Sequence, residues 1–181
     1  MKTVHVATIA VLVALAIGTN YALVGAYNVK LMDLITFVGG SLFGPFIGAF
    51  VGIFTWSIYG VLNPYGFVPQ IWVATTLSET IYGVAGGVLG KTSVNFNDKR
   101  LGRMIFLGSV GFLLTLVYDF FTNIAYSQVA GQSLLVAMIL GAPFTLTHEI
   151  SNALLFGICF IPLISALKLV VGVNHVENLR K

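Results

Sequence analysis

The chain has 181 residues, of which 57% are hydrophobic and only 8% charged, with a mean hydropathy of +0.97. Soluble domains carry about 25% charged residues, so this chain cannot cover a water-facing surface, and soluble enzymes, disordered chains and nucleic-acid binders are excluded. The net charge of +3 rests on nine Lys and Arg, so their positions matter more than their sum.

A membrane helix needs about 20 apolar residues, and the first stretch of that kind is Val4 to Leu23. Lys2 followed by an apolar run imitates a secretory signal, but the chain stays apolar afterwards, so the segment is read as the first spanning helix. The stretch from Leu31 to Leu62 would reach about 48 Å as one helix at 1.5 Å per residue, too long for a bilayer core of about 30 Å. Gly44-Pro45 punctuates it, and Pro suits the first turn of a new helix. The stretch therefore divides into a short helix over 29–43 and another over 45–62. Further helices are expected over 70–90, 104–126 and 143–171, the last with Pro162 near its end. Cys159 sits in an apolar run and reads as a small core residue.

The basic residues set the orientation. Cytoplasmic loops hold the excess of Lys and Arg. With six helices, Lys2, the loop holding Lys91, Lys99, Arg100 and Arg103, and the tail with Lys168, Arg180 and Lys181 fall on one side. Only Lys30 falls on the other. The expected fold is an all-α membrane protein, a single domain of six transmembrane helices with both termini cytoplasmic. Small residues that let helices approach line helix 1 (Ala10, Ala14, Gly18), helix 3 (Gly44, Gly48, Gly52) and helix 4 (Gly83, Gly87). On helices 3 and 4 they read as internal packing.

Two motifs imitate chemistry. Ala85 to Thr92 fits a loose phosphate-loop pattern, but such a loop needs a preceding strand and an α/β domain, and here a membrane helix precedes it. His148-Glu149 opens like a zinc-protease helix, but Asn152 stands where the second His belongs. Catalytic residues, metal ligands and cofactors are therefore not expected.

Polar groups at membrane depth are costly and mark function. Helix 4 carries Glu79, with Trp72, Thr76 and Thr80 on a similar face. Helix 5 carries Thr115, Asp119, Asn123 and Tyr126 at helical spacing. Helix 6 carries Thr145, His148 and Asn152, with Glu149 turned away. Asp33 follows Lys30 by three residues, which suits a simple interfacial ion pair. Topology places Asp119, Asn123, Thr145, His148 and Asn152 in the outer half and Glu79 near the midplane. Tyr21, Tyr27, Tyr59, Asn63, Pro64, Tyr65 and Phe67 lie in nearly uncharged outer segments. Together these describe an outward-facing cavity with aromatic walls, suited to a planar polar small molecule.

The six-helix plan, Ala10-x-x-x-Ala14, the Phe43-Gly44-Pro45 break with its following glycines, and Pro143-Phe144 with His148, Ser151 and Asn152 resemble the substrate-binding membrane subunits (S components) of energy-coupling factor (ECF) vitamin transporters. The resemblance implies high-affinity capture of a vitamin or vitamin precursor, without chemistry, in a pocket built by helices 4 to 6 and the first, third and fifth loops. It implies docking of Ala10 and Ala14 on a membrane coupling subunit driven by two cytoplasmic ATPases. Glu79, Asp119, Asn123, His148, Asn152, Trp72 and Tyr126 are then the substrate-binding candidates. The competing reading is a small ion-coupled secondary transporter with Glu79 or Asp119 as proton relay; the inverted repeat common in such folds is not evident between the two halves.

Overall fold

The structure, a computed structural model, describes residues 3–64, 66–91 and 100–171. Lys2, Tyr65, Thr92, Lys99, Arg180 and Lys181, used in the reasoning above, lie outside the described residues. Among the described residues the chain is all-helical, with α1 Thr3–Ala22, α2 Met32–Phe43, α3 Pro45–Leu62, α4 Pro69–Leu89, α5 Arg100–Ala130 and α6 Leu134–Val171. Four of these, α1, α3, α5 and α6, are long and apolar enough to cross a membrane. The 12 residues of α2 extend about 18 Å, and every one of them is buried. A helix buried on every side lies inside a bundle, and α1, α3, α4 and α6 pack against this one.

The break between α2 and α3 forms where the sequence predicts it. Gly44 has φ +96°, a conformation that side chains rarely adopt, its N–H closes α2 on the Gly40 carbonyl at 2.8 Å, and Pro45 opens α3. The glycines of α3 and α4 then divide in role. An added Cβ on Gly48 or Gly83 would strike the other's backbone, and one on Gly52 would sit 2.8 Å from the Glu79 carbonyl oxygen. Gly87 packs against Pro45, and Gly86 against Phe37. Gly44 has open space around it, so it serves the turn rather than the packing stripe. On α1, by contrast, Ala10, Ala14 and Gly18 are exposed, and nothing approaches Gly18 within 4 Å.

The end of α5 differs from the sequence expectation. Residues 127–142, expected to join two helices, are mostly helical. Gly131 sits at φ +64°, with Gly131 N–H on the Gln128 carbonyl at 3.4 Å and Gln132 N–H on the Ser127 carbonyl at 3.1 Å, the paired closure of a Schellman motif. The Ser133 hydroxyl then accepts the Val136 N–H at 3.4 Å and caps α6. Pro143 therefore stands inside α6 rather than at its start. A tight Gly-Gln-Ser turn satisfies both helix ends, so no longer loop is needed. Gly108 and Gly157 let α5 and α6 approach along the other half of their length.

Candidate functional site

At the bundle end where α1, α3 and α5 finish and α2, α4 and α6 begin lies a cavity of about 470 Å³. Small-molecule sites commonly measure about 300–1,000 Å³. Lys91, Arg100, Arg103 and Lys168 belong to the opposite helix ends. The cavity walls come from five helices, the first connection and Asn63 of the second. Trp56 and Tyr59 on α3, Thr75 on α4 and Tyr118 on α5 supply aromatic and hydroxyl surface; Asn20, Asn63, Asn123 and Thr145 supply amide and hydroxyl groups. Asp119 and Lys30 are the charged residues lining it.

Local structure explains how these side chains reach one place. Tyr118, Asp119, Thr122, Asn123 and Tyr126 occur at steps of one, three and four along α5, so they face one side. The Asn123 amide donates to the Asp119 carbonyl at 2.8 Å, which turns its own oxygen toward Gly141 of α6. The connection between α1 and α2 folds back over the cavity. Asn28, at φ +50°, donates its amide to the Phe144 carbonyl at 2.9 Å, and the Tyr27 ring meets the Phe144 ring edge-on at 5.0 Å. Across the mouth, the Tyr21 hydroxyl donates to the Leu62 carbonyl at 2.7 Å.

Beneath the cavity floor the polar residues form one buried network. His148 lies between two carboxylates, with Nε2 2.7 Å from Asp33 Oδ2 and Nδ1 3.1 Å from Asp119 Oδ1. Asn152 donates to the same Asp33 oxygen at 2.7 Å and contacts Thr115 Oγ1 at 2.8 Å. The Tyr82 hydroxyl donates to Thr115 Oγ1 at 2.9 Å, and Thr115 donates to the Gly111 carbonyl at 2.8 Å. A neutral imidazole has one N–H, so two carboxylate contacts require one further proton, on His148 or on a carboxyl. The ring separates Asp33 from Asp119, so the three groups do not converge on a point where a metal ion would sit. Asp33 also stands in the first turn of α2, where the helix dipole favours a negative charge.

The expected pairing of Lys30 with Asp33 is not formed. Both ion pairs among the described residues use His148, one to Asp33 and one to Asp119. Asp33 is fully buried and faces α6, while the Lys30 ammonium lies 5.4 Å from the Trp56 ring centroid and 5.2 Å from that of Tyr118. Burial decides the difference: a buried carboxylate needs short hydrogen bonds, and His148 and Asn152 supply them where a flexible lysine at the helix entrance does not.

The seven substrate-binding candidates named from the sequence fall into three groups. Asp119, Asn123 and Tyr126 line the cavity. His148, Asn152 and Glu79 lie below it, each fully buried; Glu79 accepts the Trp56 indole N–H at 3.2 Å and so supports one of the walls. Trp72 stands outside the lining, donating its indole N–H to the Trp56 carbonyl at 3.2 Å, with its ring against Gly60. Sequence reasoning overlooked Trp56, Tyr118, Lys30 and Asn20 as wall residues. The available signals were the Thr55-Trp56 and Tyr59-Gly60 pairs on the glycine face of α3, and the position of Lys30 at the helix ends opposite Lys91, Arg100, Arg103 and Lys168.

No curated protein and no solved structure matches the chain significantly. A family model described as the substrate-specific component of ECF transporters matches residues 4–171. That match spans the six helices and every cavity-lining residue, so the chain belongs to the substrate-specific components of ECF transporters.

Proposed function

We propose that this protein captures a small molecule in the cavity beside Asp119 and Asn123 and delivers it through an ECF importer. Family membership makes it a multi-pass membrane subunit of a transporter rather than an enzyme, working with ECF coupling and ATPase subunits on a small-molecule substrate. The finer reading is ours. All six helices lie in the membrane, both termini face the cytoplasm, and the cavity opens outward. The observation that carries it is the placement of the cavity at the helix ends opposite Lys91, Arg100, Arg103 and Lys168, because basic residues gather on the cytoplasmic side.

The substrate class favoured is a vitamin or vitamin precursor with a flat polar ring. Trp56, Tyr59 and Tyr118 offer ring faces, and Asn20, Asn63 and Asn123 offer both donors and acceptors. Asp119, Asn123 and Tyr126 touch the ligand. His148, Asn152 and Glu79 act through them by holding the floor and the Trp56 wall, and Trp72 by anchoring the Trp56 backbone. The exposed Ala10 and Ala14 on α1 form the docking face for the coupling subunit, where small side chains permit close approach.

Reconstitution tests the reading. Proteoliposomes holding this chain with ECF coupling and ATPase subunits should accumulate the substrate only with ATP, and the chain alone should bind it without accumulation. Accumulation by the chain alone under a proton gradient would instead establish the ion-coupled carrier, with Glu79 or Asp119 as relay.

A further inference from the structure

We infer that Lys30 is the anion-recognition group of the cavity, and that the captured molecule carries a carboxylate on a flat ring. The inference rests on the capture reading above. Lys30 lines the cavity and is half-buried. Its ammonium has three N–H donors, yet its neighbours there are the faces of Trp56 and Tyr118 at 5.4 Å and 5.2 Å. Ring faces attract a cation but accept no full hydrogen bond from it. Among the described residues Lys30 forms neither of the two ion pairs. The nearby carboxylates take their hydrogen bonds from other side chains, Asp33 from His148 and Asn152, Asp119 from His148, and Glu79 from Trp56, while Asp33 and Glu79 each keep one oxygen without a hydrogen bond and feel the Lys30 charge only at longer range.

The remaining lining chemistry sets the ligand's class and its orientation. Lys30 is the one cation among the residues that line the cavity, and one cation matches one negative charge, which suits a carboxylate better than a phosphate of nearly two charges. Asp119 lines the same cavity with acceptor oxygens while Lys30 offers donors, so the carboxylate belongs at the Lys30 end and the neutral part of the ring toward Asp119 and Asn123. The Trp56 and Tyr118 rings, 6.4 Å apart and inclined by 36°, then present a platform for the ring beside the ammonium that holds its substituent. The opposing explanation for Lys30 is a counter-charge for the acidic floor, which would affect the fold and not the choice of ligand.

The test uses the full chain in lipid nanodiscs and matched pairs of probes. Indole-3-acetate with indole-3-acetamide, and quinoline-3-carboxylate with its carboxamide, are titrated while tryptophan fluorescence and thermal unfolding are followed. The acids should bind about tenfold or more tightly than the amides, the scale of one charge-assisted contact. Lys30→Gln should abolish that preference and Lys30→Arg should keep it. Equal affinity for acid and amide in the unaltered protein, or a preference that survives Lys30→Gln, would overturn the assignment while leaving capture intact. A Lys30→Gln protein that unfolds at lower temperature but keeps the acid preference would identify the counter-charge role instead. Failure of every probe to bind would count against capture in this cavity, and against the inference with it.

Discussion

His148 on α6 holds Asp33 on α2 across the centre of the bundle, Nε2 to Oδ2 at 2.7 Å, with both side chains fully buried. Their separation in sequence is 115 residues, so this contact exists only once α2 has been enclosed. Removing one partner of a buried pair leaves an uncompensated charge and costs about 3–5 kcal/mol. His148→Ala should therefore lower thermal stability in detergent by that order. Adding Asp33→Asn should recover a substantial part, because the orphaned carboxylate is then gone. Additive losses in the double variant would show that the two groups do not interact.

Asn123 offers a cleaner probe of the cavity than Asn152. It lines the cavity, is only partly buried, and its amide is tied to one backbone carbonyl. Asn123→Ala should weaken ligand binding by about tenfold, the scale of one or two polar contacts, with little change in unfolding temperature. Asn152→Ala should do the reverse first, lowering stability by removing a donor to Asp33 and a contact to Thr115. Calorimetry and thermal unfolding on both variants separate the two effects.

Gly141 faces the same asparagine. A Cβ added there would sit 2.9 Å from Asn123 Oδ1, which is closer than side chains tolerate. Gly141→Ala should displace the Asn123 amide and reduce affinity while the helix remains intact, since Ala favours helix over Gly by about 1 kcal/mol. Unchanged affinity with raised stability would mean that Asn123 has room to turn away.

The glycines of the bundle should divide sharply in mutational sensitivity. Gly83→Ala and Gly48→Ala place a methyl against backbone of the facing helix, which no rotamer change can relieve. Overpacking of this kind costs about 1–3 kcal/mol or more. Gly18→Ala, with nothing within 4 Å, should be neutral or slightly stabilising in the isolated subunit. Unfolding midpoints of the three variants decide the matter.

The face of α1 carries a separate prediction. Ala10 and Ala14 are exposed and remote from the cavity lining. Ala10→Trp or Ala14→Trp should leave binding within about twofold and abolish ATP-driven uptake, because a bulky ring prevents close helix approach. Normal uptake by either variant would remove this face from the docking surface.

The membrane class, the α2–α3 break and the shared face of Asp119, Asn123 and Tyr126 on α5 were legible in the chain because each depends on local chemistry, whereas the buried face of α4 runs through Thr75, Ser78, Glu79 and Tyr82 rather than Trp72, Thr76 and Thr80. Hydropathy over about 20 residues reports burial in lipid, Gly44-Pro45 reports a turn, and polar residues at helical spacing report a shared face. Asp119, Asn123 and Tyr126 could be placed together by that periodicity alone. The Schellman closure at Gly131 was also encoded locally, but a short polar turn between two helices resembles the middle of a longer loop when judged by hydropathy.

What periodicity cannot specify is which partner a polar group takes. Asp33 had Lys30 three residues away and His148 far along the chain, and enclosure of α2 selected His148 because a buried carboxylate is stable only with short, aligned donors. The same enclosure separated the polar candidates into Asp119 and Asn123 of α5 on the cavity wall and Asn152 and His148 of α6 and Glu79 of α4 beneath it, although all are polar groups within apolar helices. Composition and spacing determined that these residues face inward; the depth at which neighbouring helices close over each one, a property of packing alone, decided whether it meets a ligand or another side chain.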